Sequence, residues 1–237
     1  RGWLEIPKKS GKYPALLRVP GYTENLTPLD KYDDLIVFSF STRDHGESDN
    51  TGVRSYDMWV RGLENQDGFF YHQLILDCMQ ALDYLCSRSD VDINRIAVWG
   101  GSQGGGLSFA LAALDKRVKM CIADIPFLCE FPRYFETTHW EEIDEWFDKN
   151  PDQTWQSMFK TLSYFDVKNM ACKITCPVYM GIGLQDDVCP PATSFVAYNY
   201  ITSKKEYSIY KYEKHGQPYS HYEKRFLQIR EFFGMDK

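Results

Sequence analysis

Ser102 stands alone among glycines in "WGGSQGGGLSF", residues 99–109. Gly100 and Gly104 flank it at two places either side, giving G-x-S-x-G. A serine hydroxyl is a weak nucleophile at neutral pH. Chemistry at this residue therefore needs a base to take its proton and an acid to orient that base. The glycines answer a steric need. A nucleophile elbow turns sharply from strand to helix and holds its serine in a strained backbone conformation with the hydroxyl exposed. Only small residues fit where the strand and helix backbones then approach each other. "RIAVW" before the motif and "LSFALAAL" after it supply the strand and the helix. Two other glycine motifs fail here. G-x-G-x-x-G finds no register, and a P-loop would need Lys where Gly106 or Leu107 stands.

Sheets that carry such an elbow order their residues as serine, then Asp or Glu, then His. The acid is expected after a late strand. "PVYMGIG" is followed by "LQDDVCPP", which offers Asp186 and Asp187, either of which could instead cap a turn. Asp124, after an earlier strand, reads as a loop organiser. The base is expected after the last strand, where "YSIYKYEKH" delivers His215, with His221 just beyond at the start of the final helix. His45, His72 and His139 precede the candidate acids and are out of order. A developing oxyanion needs two donors. The Gln103 amide, at the helix start after the nucleophile, supplies one. The loop after "ALLRV" supplies the other, assigned to the backbone amide of Tyr22.

The elements that must hold these residues are visible as apolar runs. Strands are expected at 15–19, 35–40, 95–100, 119–124, 177–183 and 207–212, with "RGWLEIP" as a further one at the start. Most are continuously apolar, as in strands covered on both faces. Helical spacing recurs at 69–86, 103–114, 192–201 and 221–233. Alternation of the two predicts an α/β fold with a mostly parallel, doubly wound sheet. Residues 130–166 break the rhythm with an aromatic, acidic, helical stretch. It reads either as a cap over one end of the sheet or as a peripheral excursion. Trp140, Trp146 and Trp155 within it could line a cleft, with core packing the main expectation for most of them.

The bulk numbers agree with this reading. The chain has 237 residues, 43% hydrophobic and 25% charged, which suits a single domain over 1–237 with a sizeable core. A net charge of −6 argues against nucleic acid or an anionic membrane surface as partner. No apolar stretch approaches the roughly 18 residues of a membrane span. Seven cysteines without C-x-x-C pairing predict buried free thiols in a reducing compartment and no zinc site; this slightly favours the cytoplasm, with a secreted or periplasmic location as the alternative that the start at Arg1 leaves open. Because the chain starts at Arg1 inside a strand-like run, an upstream part is expected to be missing.

Taken together, "GGSQGGGLSFALAAL", "DIPFLCEF", "TLSYFDVKNMA", "GLQDDVCPPATSFVAYNY" and "YKYEKH" resemble the acetyl xylan esterase and cephalosporin-C deacetylase family, carbohydrate esterase family seven. The resemblance runs from Gly2 to near the end and is strongest from Arg95 to Tyr200. It implies an α/β-hydrolase fold and removal of acetyl groups from short xylo-oligosaccharides and from cephalosporin C, with no cofactor and no metal. By its motifs Ser102 is the nucleophile, Asp186 the acid and His215 the base. Tyr22 and Gln103 match the oxyanion positions, and Phe127 of "PFLC" borders the acyl pocket. One departure stands out: the family's R-G-Q-G is "RDHG" here, with Asp44 and His45 in the Gly-Gln places. Family members form ring-like hexamers with the help of an N-terminal extension that these residues lack, so homo-oligomerisation carries over without its hexamer-building element. Two rival readings remain at this level: a serine peptidase of the prolyl-oligopeptidase type, which shares fold and chain order, and a non-catalytic binding member of the fold.

Overall fold

The apolar runs become strands of one sheet. In the computed structural model, which describes residues 1–30, 32–48 and 58–235, the strands are β1 (Gly2–Glu5), β2 (Tyr13–Val19), β3 (Ile36–Phe40), β4 (Val91–Gly101), β5 (Met120–Asp124), β6 (Val178–Gly183) and β7 (Lys205–Tyr210). Among the described residues they form a seven-stranded sheet in the order β1-β3-β2-β4-β5-β6-β7. β1 pairs antiparallel with β3, and every other neighbouring pair is parallel. The central strands are buried on both faces, which is why their runs do not alternate. β7 lies at the edge and does alternate. Tyr207 and Ile209 remain about half exposed there, and the strand starts two residues earlier than its apolar run suggests.

Helices α1 (Phe70–Ser87) and α2 (Gln103–Leu114) pack against one face with Leu17, Val98 and Cys121. α6 (Pro191–Tyr200) contributes Ala197 and Tyr198 to that same core. α2 is apolar all round, and every residue from Gln103 to Ala113 is buried, as expected of a helix enclosed on all sides. The other face carries a smaller core of Leu16, Ala97, Trp99 and Ile122 under Ile229 and Phe233 of α7 (Tyr219–Phe233). α7 ends at Gly234, whose left-handed φ of 63° suits a residue without Cβ. Between β2 and β3 the described residues form no helix or strand, so the α7 face is thinly covered beside the ends of the central strands.

The stretch at 130–166 folds as α3 (Phe131–Thr137), α4 (Glu141–Lys149) and α5 (Trp155–Leu162). Asp166 closes its base: its carboxylate accepts the amides of Glu130 and Phe131, both at 2.9 Å. Lys168 pairs with Glu130 across the same junction. The excursion therefore leaves and re-enters the fold at one point.

All seven cysteines are free thiols, and Cys78, Cys121, Cys129, Cys176 and Cys189 are buried. No helix among the described residues is long and apolar enough to cross a membrane.

Candidate active site

β4 runs into α2 through Ser102, which sits at φ 55° and ψ −123°. That conformation is costly for a residue with a Cβ and is held only by its surroundings. The amide of Ser102 donates to Asp124 O at 2.9 Å, and its carbonyl accepts from Phe127 N at 2.9 Å. The glycines are fixed by contact. A Cβ on Gly100 would lie 2.4 Å from the backbone of Gly104, and one on Gly104 would lie 2.3 Å from Val19 O.

Three side chains from three loops converge above this turn. His215, five residues beyond β7, places Nε2 2.9 Å from Ser102 Oγ. Its Nδ1–H donates to the carboxylate of Asp186 at 2.9 and 3.0 Å. That leaves Nε2 to accept the serine proton. Asp186 follows β6 and is buried, and its Oδ1 accepts the amides of Val188 at 2.9 Å and Cys189 at 2.8 Å. Asp187 points into solvent instead. His72 and His139 lie elsewhere: His72 contacts Asp67 O, and His139 pairs with Asp144 on the surface.

The two expected oxyanion residues flank the serine. Gln103 opens α2 and is buried. Tyr22 follows Gly21 in the loop after β2, and Gly21 packs against Gly101 O. The Glu24 carboxylate accepts the Gly21 amide at 2.6 Å, which ties that loop down. The side chain of Gln103 is held by Tyr71, whose hydroxyl donates to Oε1 at 2.8 Å. His45 is on its other side, with Nε2 3.4 Å from Gln103 Nε2. The His45 Nδ1–H donates to Arg43 O at 2.8 Å, so Nε2 is the accepting nitrogen. Its ring also meets Tyr22 edge-on, centroids 6.3 Å apart. His45, which chain order sets aside as a base, thus contacts the side chains of both Gln103 and Tyr22. Chain order is blind to such a contact, and the only sequence signal was the departure from R-G-Q-G.

A cavity of about 820 Å³ opens over Ser102. Trp59, Tyr71, Phe127, Trp140 and Cys189 form an apolar part of its lining, with the Trp140 ring in contact with those of both Trp59 and Phe127. Phe127 and Trp140 stack with centroids 6.3 Å apart. Of the three tryptophans in the helical stretch, Trp140 reaches the cavity, and Trp146 is buried with its indole donating to Glu64. Trp155 lies on an outer aromatic cluster with Phe135 and Phe147. Trp59 and Tyr71 carry no motif and could not be picked out from composition. Cys189 Sγ is 4.0 Å from Ser102 Oγ. Burial pushes its thiol well above the usual range, so it stays neutral and does not compete as a nucleophile.

Beneath the site lies a second buried pair. His221, in the first turn of α7, donates from Nε2 to Asp124 Oδ2 at 2.8 Å and accepts the Tyr210 hydroxyl at Nδ1, also at 2.8 Å. Arg225 reaches Asp124 Oδ1 at 3.1 Å, and the Trp99 indole donates to Oδ2 at 2.9 Å. Burial alone would raise the Asp124 carboxyl. Arg225 and the hydrogen bonds of His221 and Trp99 outweigh it and hold the carboxyl below its ordinary value. A depressed carboxylate adds stability that is present above its unfolded pKa and is lost as pH falls through the folded one. Asp124→Asn leaves the buried Arg225 guanidinium without its carboxylate and is expected to cost about 3–5 kcal/mol near neutrality. Its penalty should begin to shrink as pH falls past the ordinary Asp value of about 3.9 and vanish only below the lower folded value, where the wild type also loses the charge. Denaturant melts of both proteins between neutral and acid pH check this; a penalty independent of pH would count against the ionised Asp124.

Comparisons with known proteins add to this geometry. The acetyl xylan esterase (AXE1) family model matches residues 1–231. Acetyl esterase Axe7A of Xylanibacter ruminicola is 33% identical over 236 residues, covering 90% of this chain and 52% of its own length. The chain thus spans about half the length of that relative. Among solved structures, an acetyl xylan esterase from Paenibacillus sp. R4 superposes with a TM-score of 0.87 at 35% identity, covering 97% of this chain and 78% of the other. Acetyl xylan esterase 1 from Thermoanaerobacterium sp. JW/SL YS485 gives 0.86 at 32%, covering 96% and 77%. With the family model matching residues 1–231 of the chain and relatives alike in both sequence and backbone, the chain belongs to the acetyl xylan esterase family and has its α/β-hydrolase fold.

Proposed function

We propose that the chain is a serine esterase that removes acetyl groups from acetylated xylo-oligosaccharides, and from similar small acetyl esters such as cephalosporin C. The observation that carries this reading is the 2.9 Å contact between Ser102 Oγ and His215 Nε2, in a chain of this family. His215 takes the Ser102 proton as Oγ attacks the acetyl carbonyl carbon. The carbonyl electrons move onto oxygen, which sits between the Tyr22 and Gln103 amides. Asp186 holds the imidazole in the tautomer that can accept and stabilises the imidazolium that forms. As the tetrahedral species collapses, the sugar oxygen leaves with the proton from His215. Water then repeats both steps on the acetyl-enzyme, releasing acetate. No step calls for a metal or an organic cofactor. The intact trio of side chains disfavours a binding-only role, and the family match draws support away from the peptidase reading.

The acyl group is placed against the bulky rings of Phe127 and Trp140, which disfavour a longer acyl chain. In a series of 4-nitrophenyl esters, butyrate is expected to fall roughly tenfold or more below acetate in kcat/KM. Phe127→Ala should narrow that gap. Acetylated xylo-oligosaccharide should be hydrolysed, and a dipeptidyl amide left uncut. A preference for butyrate or longer chains would overturn the acetyl assignment.

A further inference from the structure

Ser102 divides its cavity into two unlike halves. The acyl side, with Trp59, Tyr71, Phe127 and Trp140, is apolar. The other half lies over the α7 face, where the β2–β3 connection carries no helix. It is lined by Arg18, Glu24, Tyr32, Trp99, Tyr222 and Phe226. An acetyl group fills only a small part of about 820 Å³, so this other half must serve the alcohol portion of the ester. We propose that this half is a subsite for further sugar rings of an oligosaccharide, with the half-exposed Tyr222, backed by the buried Trp99, as its stacking surface and Arg18 and Glu24 as its hydroxyl contacts; the proposal rests on the acetyl-sugar reading above.

The aromatic surface is rigid and partly uncovered. The Trp99 indole is pinned by its bond to Asp124, and its ring meets Phe226 at 5.1 Å and Tyr222 at 5.8 Å. Tyr32 stacks on Phe226 at 4.5 Å. Tyr222 is 45% exposed and Tyr219, at the rim, 72%. A pyranose has an apolar face of C–H groups and a girdle of equatorial hydroxyls, and it needs aromatic area and polar contacts in the same volume.

Both kinds of contact are present. Arg18 Nη1 donates to Thr27 O at 2.7 Å and Ser39 Oγ at 2.8 Å, while its Nε and Nη2 donate to none of the described residues. Glu24 Oε2 takes the Gly21 amide, and Oε1 accepts from none of the described residues. Arg18, Glu24 and Tyr222 all line the same cavity. With Glu223 also on the lining, the two carboxylates outnumber the guanidinium. That balance disfavours an anionic ligand and suits a neutral polyhydroxylated one.

The test compares acetylated xylotriose with ethyl acetate, whose leaving group is too small to reach the subsite. Tyr222→Ala is expected to lower kcat/KM on acetylated xylotriose roughly tenfold through KM, with ethyl acetate within twofold of wild type. Tyr222→Phe, which keeps the ring, should retain most of the wild-type preference. Circular dichroism confirms that the variants are folded. If wild type hydrolyses both substrates and Tyr222→Ala leaves their ratio unchanged, the subsite alone is refuted. If wild type hydrolyses ethyl acetate but not acetylated xylotriose, the acetyl-sugar reading fails and the subsite with it.

Discussion

Ser102→Ala and His215→Ala are each expected to lower kcat on 4-nitrophenyl acetate by roughly 10⁴–10⁶, with the double variant no slower than either single one. The non-additivity follows from the geometry. Ser102 Oγ and His215 Nε2 share one hydrogen bond of 2.9 Å, and neither activates an attack without the other. Asp186→Asn should cost roughly 10⁴, because an amide cannot hold the imidazole in the accepting tautomer as the carboxylate does. Steady-state kinetics on purified variants, with an organophosphate that labels wild type but not Ser102→Ala, checks the assignment. Retention of a tenth of the wild-type rate by His215→Ala would remove it from the role of base. Stability should hardly change in Ser102→Ala, since alanine keeps the same strained backbone at φ 55°.

Gly104→Val is expected to cost more than about 3 kcal/mol of folding stability and nearly all activity. The added Cβ would lie 2.3 Å from Val19 O and 2.9 Å from Pro20 O. Both are backbone atoms leading into the Gly21–Tyr22 loop, so they cannot step aside as the tip of a flexible side chain can. Relief of the clash must push α2 away from β2, separating the Gln103 and Tyr22 amides. Gly101→Ala is the control. Its nearest neighbour would be Asp124 O at 3.9 Å, an ordinary contact, and its effect should stay within about 0.5–1 kcal/mol. Urea unfolding of the two variants beside wild type measures the difference. Equal destabilisation would mean that the elbow tolerates side chains its packing forbids.

Strands and helices were legible where the pattern is local. A continuously apolar run such as "RIAVW" can only be a buried strand once helices alternate with it, and α2 follows from an apolar run that begins in small residues. Edges were less legible. β7 is half exposed, so no apolar period marks where it begins, and α7 starts at Tyr219 behind Pro218 rather than at His221. The serine within its glycines, the order of acid and base and the family likeness were all present in the residues themselves.

Which neighbour each side chain meets is a different kind of fact. Asp186 and Asp187 are adjacent and chemically identical, yet one turns inward to His215 and the other into water. The contact of His45 with Gln103 joins residues 58 apart in the chain. Asp124 and His221, a buried acid and base close to the site, are occupied by Arg225, Trp99 and Tyr210 and so are committed to packing. The sequence by itself determined the order of elements, the strained turn and the chemical types near it, because these depend on short-range spacing and backbone sterics. Only the tertiary structure decided which Asp meets His215, which residues pack behind Gln103 and Tyr22, and which aromatic groups gather around one cavity. Those depend on where distant loops land when the sheet twists and its two faces are covered unequally.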